Sequence, residues 1–207
     1  MNEAELARWF STIKETLESA YLRTTEPWKQ SGFSGPEERW TRLRKPIADC
    51  VEEPGTFLDI GCANGYLLEC VMKWTAERAI SIVPYGLDLS EKLVALAKAR
   101  LPAYQDNQFV GNGWDWHNPR RFHYVRTELV YVPEELQKDY VQRIIDRCLE
   151  PEGKLLVCGY TSSKRLDIKP DVDRKLTDWG FRVERTASGF DKGVEATRVA
   201  VVGKPDA

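Results

Sequence analysis

From Gly55 onward, short runs of aliphatic, aromatic and β-branched residues alternate with longer runs whose apolar residues recur at helical spacing. "TFLDI" reads as a strand, "NGYLLECVMKWTAE" as a helix, "YGLDL" as a strand after Pro84, and "SEKLVALAKARL" as a helix. Strand "NQFVGN", a loop, strand "FHYVRTEL", helix "PEELQKDYVQRIIDRCL" and strand "GKLLVCGY" continue the rhythm. Strands alternating with helices of this length form a parallel sheet covered on both faces. The last third departs from that pattern. Helix "KPDVDRKLTDWG" is followed by "FRVERTA" and, after the loop "SGFDKG", by "VEATRVAVV". Two strands joined so briefly are antiparallel neighbours. The expected fold is α/β, a mostly parallel sheet with helices on both faces and an antiparallel strand pair at its C-terminal edge.

Ahead of this region, Leu6, Trp9, Phe10, Ile13, Leu17, Ala20 and Tyr21 share one face of a helix predicted from about Glu3 to Arg23. A connection rich in helix breakers follows, and Pro36 is placed to open a second helix that carries Trp40, Leu43 and Ile47. Pro46 is expected to kink that helix or end its regular part. With 207 residues the chain suits one domain preceded by an extension. We assign residues 1–50 to an N-terminal helical extension suited to a lid, with Trp28 and Phe33 on its connection, and 51–207 to the core domain.

Thirty basic and 32 acidic residues leave a net charge of -2, which offers no general attraction to phosphate backbones or anionic lipid. A nucleic-acid or membrane partner is therefore not expected. Cys50, Cys62, Cys70, Cys148 and Cys158 contain no CxxC pair and are odd in number, as reduced core residues of a cytoplasmic protein would be. His117 and His123 form no ligand set with them, so no metal is expected.

In an open parallel sheet, ligands bind beyond the carboxyl ends of the strands. The loop "GCANG" lies there, and Gly61, Ala63 and Gly65 leave its backbone N–H groups free to face an anion or a flat adenosine. Asp88, closing the second strand, is placed to accept from ribose hydroxyls; its plain alternative is to cap the helix that begins near Ser90. Asn112, after the third strand, carries an amide suited to an adenine edge. The loop lacks the G-x-G-x-x-G spacing of a dinucleotide site. Asp59, which precedes it, would repel phosphate and favour a ligand with ammonium and sulfonium charge.

These stretches resemble the class I S-adenosylmethionine-dependent methyltransferases over roughly Gly55 to the C-terminus. "LDIGCANG" is similar to that family's first motif, "GLDLS" to its acid-ending second strand, "VGNGWDW" to its adenine-contacting stretch, and "FHYVRTELVYVP" with "LEPEGKLLVCGY" to its fourth and fifth strands. The resemblance implies a Rossmann-like fold and S-adenosylmethionine as cofactor. It places Asp59, Gly61, Ala63 and Gly65 around the methionine part and ribose, Asp88 on the ribose, and Asn112 with the Gly113 N–H on adenine. Cys62, Leu89 and Trp114 lie within the same stretches, and Arg126 at the carboxyl end of the fourth strand faces them, so all four join the expected cofactor contacts. Ala63 replaces the usual middle glycine, Asn112 a usual Asp, and His123 a common Asp.

Strand polarity puts Arg120, Arg121 and His123 at the far end of the fourth strand, as a solvated patch. Glu128 is the candidate general base or substrate-orienting acceptor, with Tyr131 second; either residue could instead only cap the strand–helix junction. His117 sits in the loop after the third strand, able to reach the site or simply to pack beside its Trp neighbours. No Asn-Pro-Pro-Tyr type sequence follows the fourth strand, which disfavours amino methylation of adenine or glutamine, and no paired-glutamate loop like that of arginine methyltransferases is present, which leaves a small apolar or aromatic acceptor. A nucleotide-dependent oxidoreductase and a non-catalytic cofactor-binding domain stand as alternatives.

Overall fold

The computed structural model describes residues 1–161 and 170–204. Its sheet has seven strands: β1 (Gly55–Ile60), β2 (Ile82–Asp88), β3 (Gln108–Val110), β4 (Phe122–Glu128), β5 (Leu149–Tyr160), β6 (Val183–Asp191) and β7 (Val194–Gly203). They lie in the order β3-β2-β1-β4-β5-β7-β6. Every pairing from β3 to β5 is parallel, whereas β7 is antiparallel to both β5 and β6. Only β7 is reversed, so the expected antiparallel pair is one inverted strand held between two others.

Among the described residues, six α-helices surround the sheet: α1 (Glu3–Tyr21), α2 (Glu37–Asp49), α3 (Tyr66–Ala76), α4 (Glu91–Arg100), α5 (Gln137–Cys148) and α6 (Val172–Asp178). Strand alternation divides the core in two. Leu58 and Ile60 of β1, Val125 of β4, and Leu155 and Val157 of β5 meet α5 through Tyr140, Val141, Ile144 and Ile145. Phe57, Tyr124, Leu156 and Cys158 point the other way, against Trp40, Ile47 and Ala48 of α2 and Leu68 and Val71 of α3.

Several boundaries differ from those read in the sequence. Helix α2 continues through Pro46 to Asp49 instead of ending there. Pro46 removes one N–H, yet Ile47 and Ala48 are buried in the core and hold the last turn in place. The same packing brings α2 close to β6: a Cβ on Gly189 would stand 3.1 Å from the Arg42 carbonyl oxygen. The supposed loop "SGFDKG" is mostly strand. Only Lys192 and Gly193 turn, with φ of 50° and 80°, the left-handed pair that suits a two-residue hairpin. Strand β3 is shorter than expected, because Asn112 bonds within its own loop and leaves the ladder. The final predicted helix begins at Val172; Lys169, its expected first residue, lies outside the described residues.

The two N-terminal helices have different roles. Helix α2 is core, with Trp40 and Ile47 buried. Helix α1 opens with a reciprocal cap between Asn2 and Glu5 and rests on the sheet's carboxyl edge, only Phe10 being buried. Among the described residues, no helix is long and apolar enough to cross a membrane.

Candidate active site

Chain order and sheet order part company at β1: the chain passes from β1 to β2 and β3 on one side, then returns to β4 on the other. A crevice opens at the carboxyl ends of strands where this happens. A cavity of about 270 Å³ occupies it. Asp59, Gly61, Cys62, Ala63, Asp88, Leu89, Asn112, Gly113, Arg126, Glu128 and Tyr131 all line it. Eleven positions drawn from four separate stretches of sequence thus meet in one place.

Two expected members stand elsewhere. Gly65 is the N-cap of α3 at φ 74°, and a Cβ there would be 3.0 Å from the Ala97 Cβ, so it serves the close approach of α3 and α4. Trp114 packs against the core with the Arg143 guanidinium 4.2 Å from its ring centre. Nor does His117 join the cavity; its side chain is exposed, while Trp116 packs on Phe109 and Phe122.

The loop after β1 differs from expectation in what it offers. The N–H groups of Gly61 and Cys62 both donate to the Leu87 carbonyl, at 2.7 and 3.1 Å. Ala63 donates to Asp88 Oδ2 at 2.9 Å, and Gly65 to the Cys62 carbonyl at 2.9 Å. The turn therefore consumes these donors itself, and presents bare Cα surface and carbonyls in place of an anion cradle. Gly61 at φ 79° and Ala63 at φ 47° make that geometry possible. Asn64, unremarked in the sequence, is 1% exposed and donates to the Pro27 carbonyl and Gln30 Oε1, tying the loop to the segment between α1 and α2.

Beneath the loop lies a network around one guanidinium. Arg126, 2% exposed, donates through Nη1 to Asp59 Oδ1 at 3.1 Å and to the Tyr131 hydroxyl at 3.0 Å. Its Nη2 donates to Glu128 Oε1 and, at 3.0 Å, to the Tyr160 hydroxyl. Asp59 thus already has an internal cation, contrary to the idea of a carboxylate left wholly for a ligand. Its Oδ2, however, is buried and finds no partner among the described residues. Burial pushes the Asp59 carboxyl up to about 6, with Arg126 opposing the rise.

Tyr131 donates to Glu128 Oε1 at 2.8 Å, and its ring covers Gly61 so closely that a Cβ there would clash with it. Burial raises the Tyr131 phenol well above its ordinary value, which favours its protonated, hydrogen-bond-donating form. Cys62 is likewise raised by burial and is no nucleophile. Asp88 accepts one backbone N–H on each oxygen, from Ala63 and from Ser90 at 2.9 Å, and each oxygen keeps further acceptor capacity. It is both a loop and helix organiser and a cavity carboxylate. Asn112 turns its Oδ1 inward to the Trp114 and Asp115 N–H groups, so the amide hydrogens are what remain for a ligand.

Residues on α1 that the sequence suggested only as a covering face complete the wall: Phe10, Ile13, Leu17 and Tyr21. Burial pushes the Tyr21 phenol up to about 12, and the Glu128 and Asp88 carboxylates add to the rise. Glu18 fastens this helix to the start of α4 by accepting from Ser90 Oγ and Lys92 Nζ, both at 2.8 Å. The basic residues at the opposite end of β4 are engaged there: His123 meets Glu53 at 2.9 Å, and Arg121 donates to the Leu149 carbonyl.

The strand order with a reversed β7 is the fold of class I S-adenosylmethionine-dependent methyltransferases, as solved structures show. The magnesium protoporphyrin IX methyltransferase of Synechocystis PCC 6803, solved with bound SAM, superposes with TM-score 0.62 at 15% identity, over 95% of this chain and 97% of that one. The 1,6-didemethyltoxoflavin-N1-methyltransferase of Burkholderia thailandensis gives 0.68 at 14%, over 97% and 91%. The N-methyltransferase NodS of Bradyrhizobium japonicum gives 0.59 at 13%, over 93% and 98%. No protein-family model matches the chain, and no curated protein matches it in sequence.

Proposed function

We propose that the chain is an S-adenosylmethionine-dependent methyltransferase that acts on a small-molecule acceptor. The observation that carries this reading is the loop after β1, where the Gly61, Cys62, Ala63 and Gly65 N–H groups are spent on the chain itself, set beside a buried carboxylate oxygen with no partner among the described residues. A pyrophosphate needs donors there. A ligand bringing its own ammonium and sulfonium charge needs acceptors and close approach, and the site supplies both. The residues present therefore fit S-adenosylmethionine better than a dinucleotide.

In this reading Asp59 Oδ2 receives the ammonium, Asp88 the ribose hydroxyls, and the Asn112 amide with the Gly113 backbone the adenine edge. When bound, the cofactor supplies an electrophilic methyl group on a sulfonium. Arg126 fixes Glu128 and Tyr131 against the loop, and α1 excludes water from above. Glu128 uses Oε1 for Arg126 and Tyr131, which leaves Oε2 to orient the acceptor or take its proton.

Calorimetric titration with S-adenosylmethionine, S-adenosylhomocysteine and NADH tests the reading. Binding of the two sulfur compounds alone, weakened about tenfold or more in Asp88→Asn, supports it. Preference for NADH, or no binding by a folded protein, overturns it.

A further inference from the structure

A second cavity, of about 320 Å³, adjoins the first, and Arg44 lines both. Its guanidinium lies 3.7 Å from the Tyr160 ring centre and 5.7 Å from that of Phe33. The neighbouring arginines are neutralised: Arg126 by Asp59 and Glu128, and Arg39 by Asp191 at 2.6 Å. Among the described residues, Arg44 is the cation lining either cavity that has no carboxylate partner. Among the described residues this half-buried guanidinium is stacked on rings and makes no hydrogen bond or ion pair, so its charge is uncompensated there and its edge, where the donors lie, is open.

The arrangement is built. Tyr160 ends β5, and its hydroxyl is pinned by Arg126 Nη2 at 3.0 Å, so the ring beneath Arg44 is fixed. Stacking on that ring takes the face of the guanidinium and leaves its edge free for a two-pronged carboxylate contact. Sheet order gives the side of the site concerned. Asp88 and Asn112 follow β2 and β3, on one side of β1; Tyr160 follows β5, beyond β4 on the other. A cofactor held at Asp59, Asp88 and Asn112 leaves the β5 side to its co-substrate.

We propose that Arg44 anchors the carboxylate of the methyl acceptor, and that this acceptor is an aromatic or similarly planar acid whose body lies against Phe33 and Tyr160. A carboxylate is favoured over a phosphate because one cation awaits a partner while Glu128 and Asp59 already line the adjoining cavity. This assignment rests on the methyltransferase reading for the word acceptor, though not for the anion site itself.

The test uses the full chain, with and without S-adenosylhomocysteine, titrated with benzoate, phenylacetate and cinnamate and with the matching primary amides. At least one acid is expected to bind about tenfold more tightly than its amide. Arg44→Met should abolish that preference and change S-adenosylhomocysteine affinity by less than about twofold, and Arg44→Lys should restore part of it. Thermal melting checks that each variant folds. Equal binding of every acid and amide, or no binding of either, overturns the proposal. So does an Arg44→Met variant that loses S-adenosylhomocysteine while keeping its preference for acids, since Arg44 would then serve the cofactor's carboxylate. Acid binding that depends on Arg44 in a protein that ignores both sulfur compounds supports the anion site and sinks the methyltransferase reading.

Discussion

Asp59 and Arg126 share one hydrogen bond of 3.1 Å at the carboxyl edge of the sheet, and the second oxygen of Asp59 has no partner among the described residues. The guanidinium half-answers the carboxylate. What remains is an acceptor at the point where a cationic ligand is proposed to dock.

Affinity for S-adenosylmethionine should therefore follow the ionisation of Asp59. Its carboxyl titrates near 6 because burial disfavours the charged form. Binding should tighten as pH rises from 5 to 7, by about tenfold per unit below the titration point and then level off. Calorimetry across that range on wild type and Asp59→Asn checks it; the substituted protein should bind weakly with no step.

The same carboxyl affects stability with the opposite sign. A raised pKa means that the folded state prefers the neutral form, so the contribution of Asp59 is most favourable below its ordinary value of 3.8 and is lost as pH rises through about 6. Arg126→Met removes the opposing cation and leaves two carboxylates without it. It should cost about 3–5 kcal/mol at pH 7.5 and visibly less at pH 5, where protonation relieves the burden. Urea unfolding at the two pH values measures the difference, and an equal loss at both would show that the charge network is not the cause.

Gly65 and Ala63 should respond to exchange in opposite directions. Ala63 holds φ 47°, a conformation that an L side chain resists, so Ala63→Gly should be stabilising by about 0.5–1 kcal/mol after the added chain entropy is subtracted. Gly65→Ala introduces the same resistance at φ 74° together with a contact against Ala97, and should cost about 1–3 kcal/mol. Melting curves of the pair decide it. Because Gly65 does not line the cavity, cofactor affinity of folded Gly65→Ala should fall less than that of Asp88→Asn.

Helix α1 is the proposed cover, held by Glu18 on Ser90 and Lys92 and by its apolar face. Tryptic cleavage after the exposed Arg23 should slow when S-adenosylhomocysteine is bound, and Glu18→Gln should quicken it in the free protein. Cleavage indifferent to ligand would remove the cover from the account.

The alternation of strands and helices was legible because periodicity is a local property, and the strand-end residues were legible because polarity fixes which end faces the cavity. Asp59, Asp88 and Glu128, read from the sequence as strand-end residues, line the cavity. The partners of those groups were not legible. That the Gly61 and Cys62 N–H groups turn to Leu87, or that Asn112 folds its oxygen inward, depends on distances across strands and within turns that spacing does not encode. Arg44 was missed for a related reason. On its own helix it reads as one polar residue of a solvated face, and only the approach of α2 to the end of β5 sets it over Tyr160. Gly65 was assigned to the ligand because its role, contact with Ala97, lies on another helix.

The inverted β7 has a consequence for how the chain matures on the ribosome. It lies between β5 and β6, with Ala196, Val199, Ala200, Val201 and Val202 buried, yet among the described strands it comes last in the chain. Until residues 194–203 have emerged, β5 displays an open edge and its apolar neighbours lack half their cover. Assembly of the sheet is thus a late event, and a nascent chain stalled before Val194 would expose the edge of β5 and be a target for chaperones.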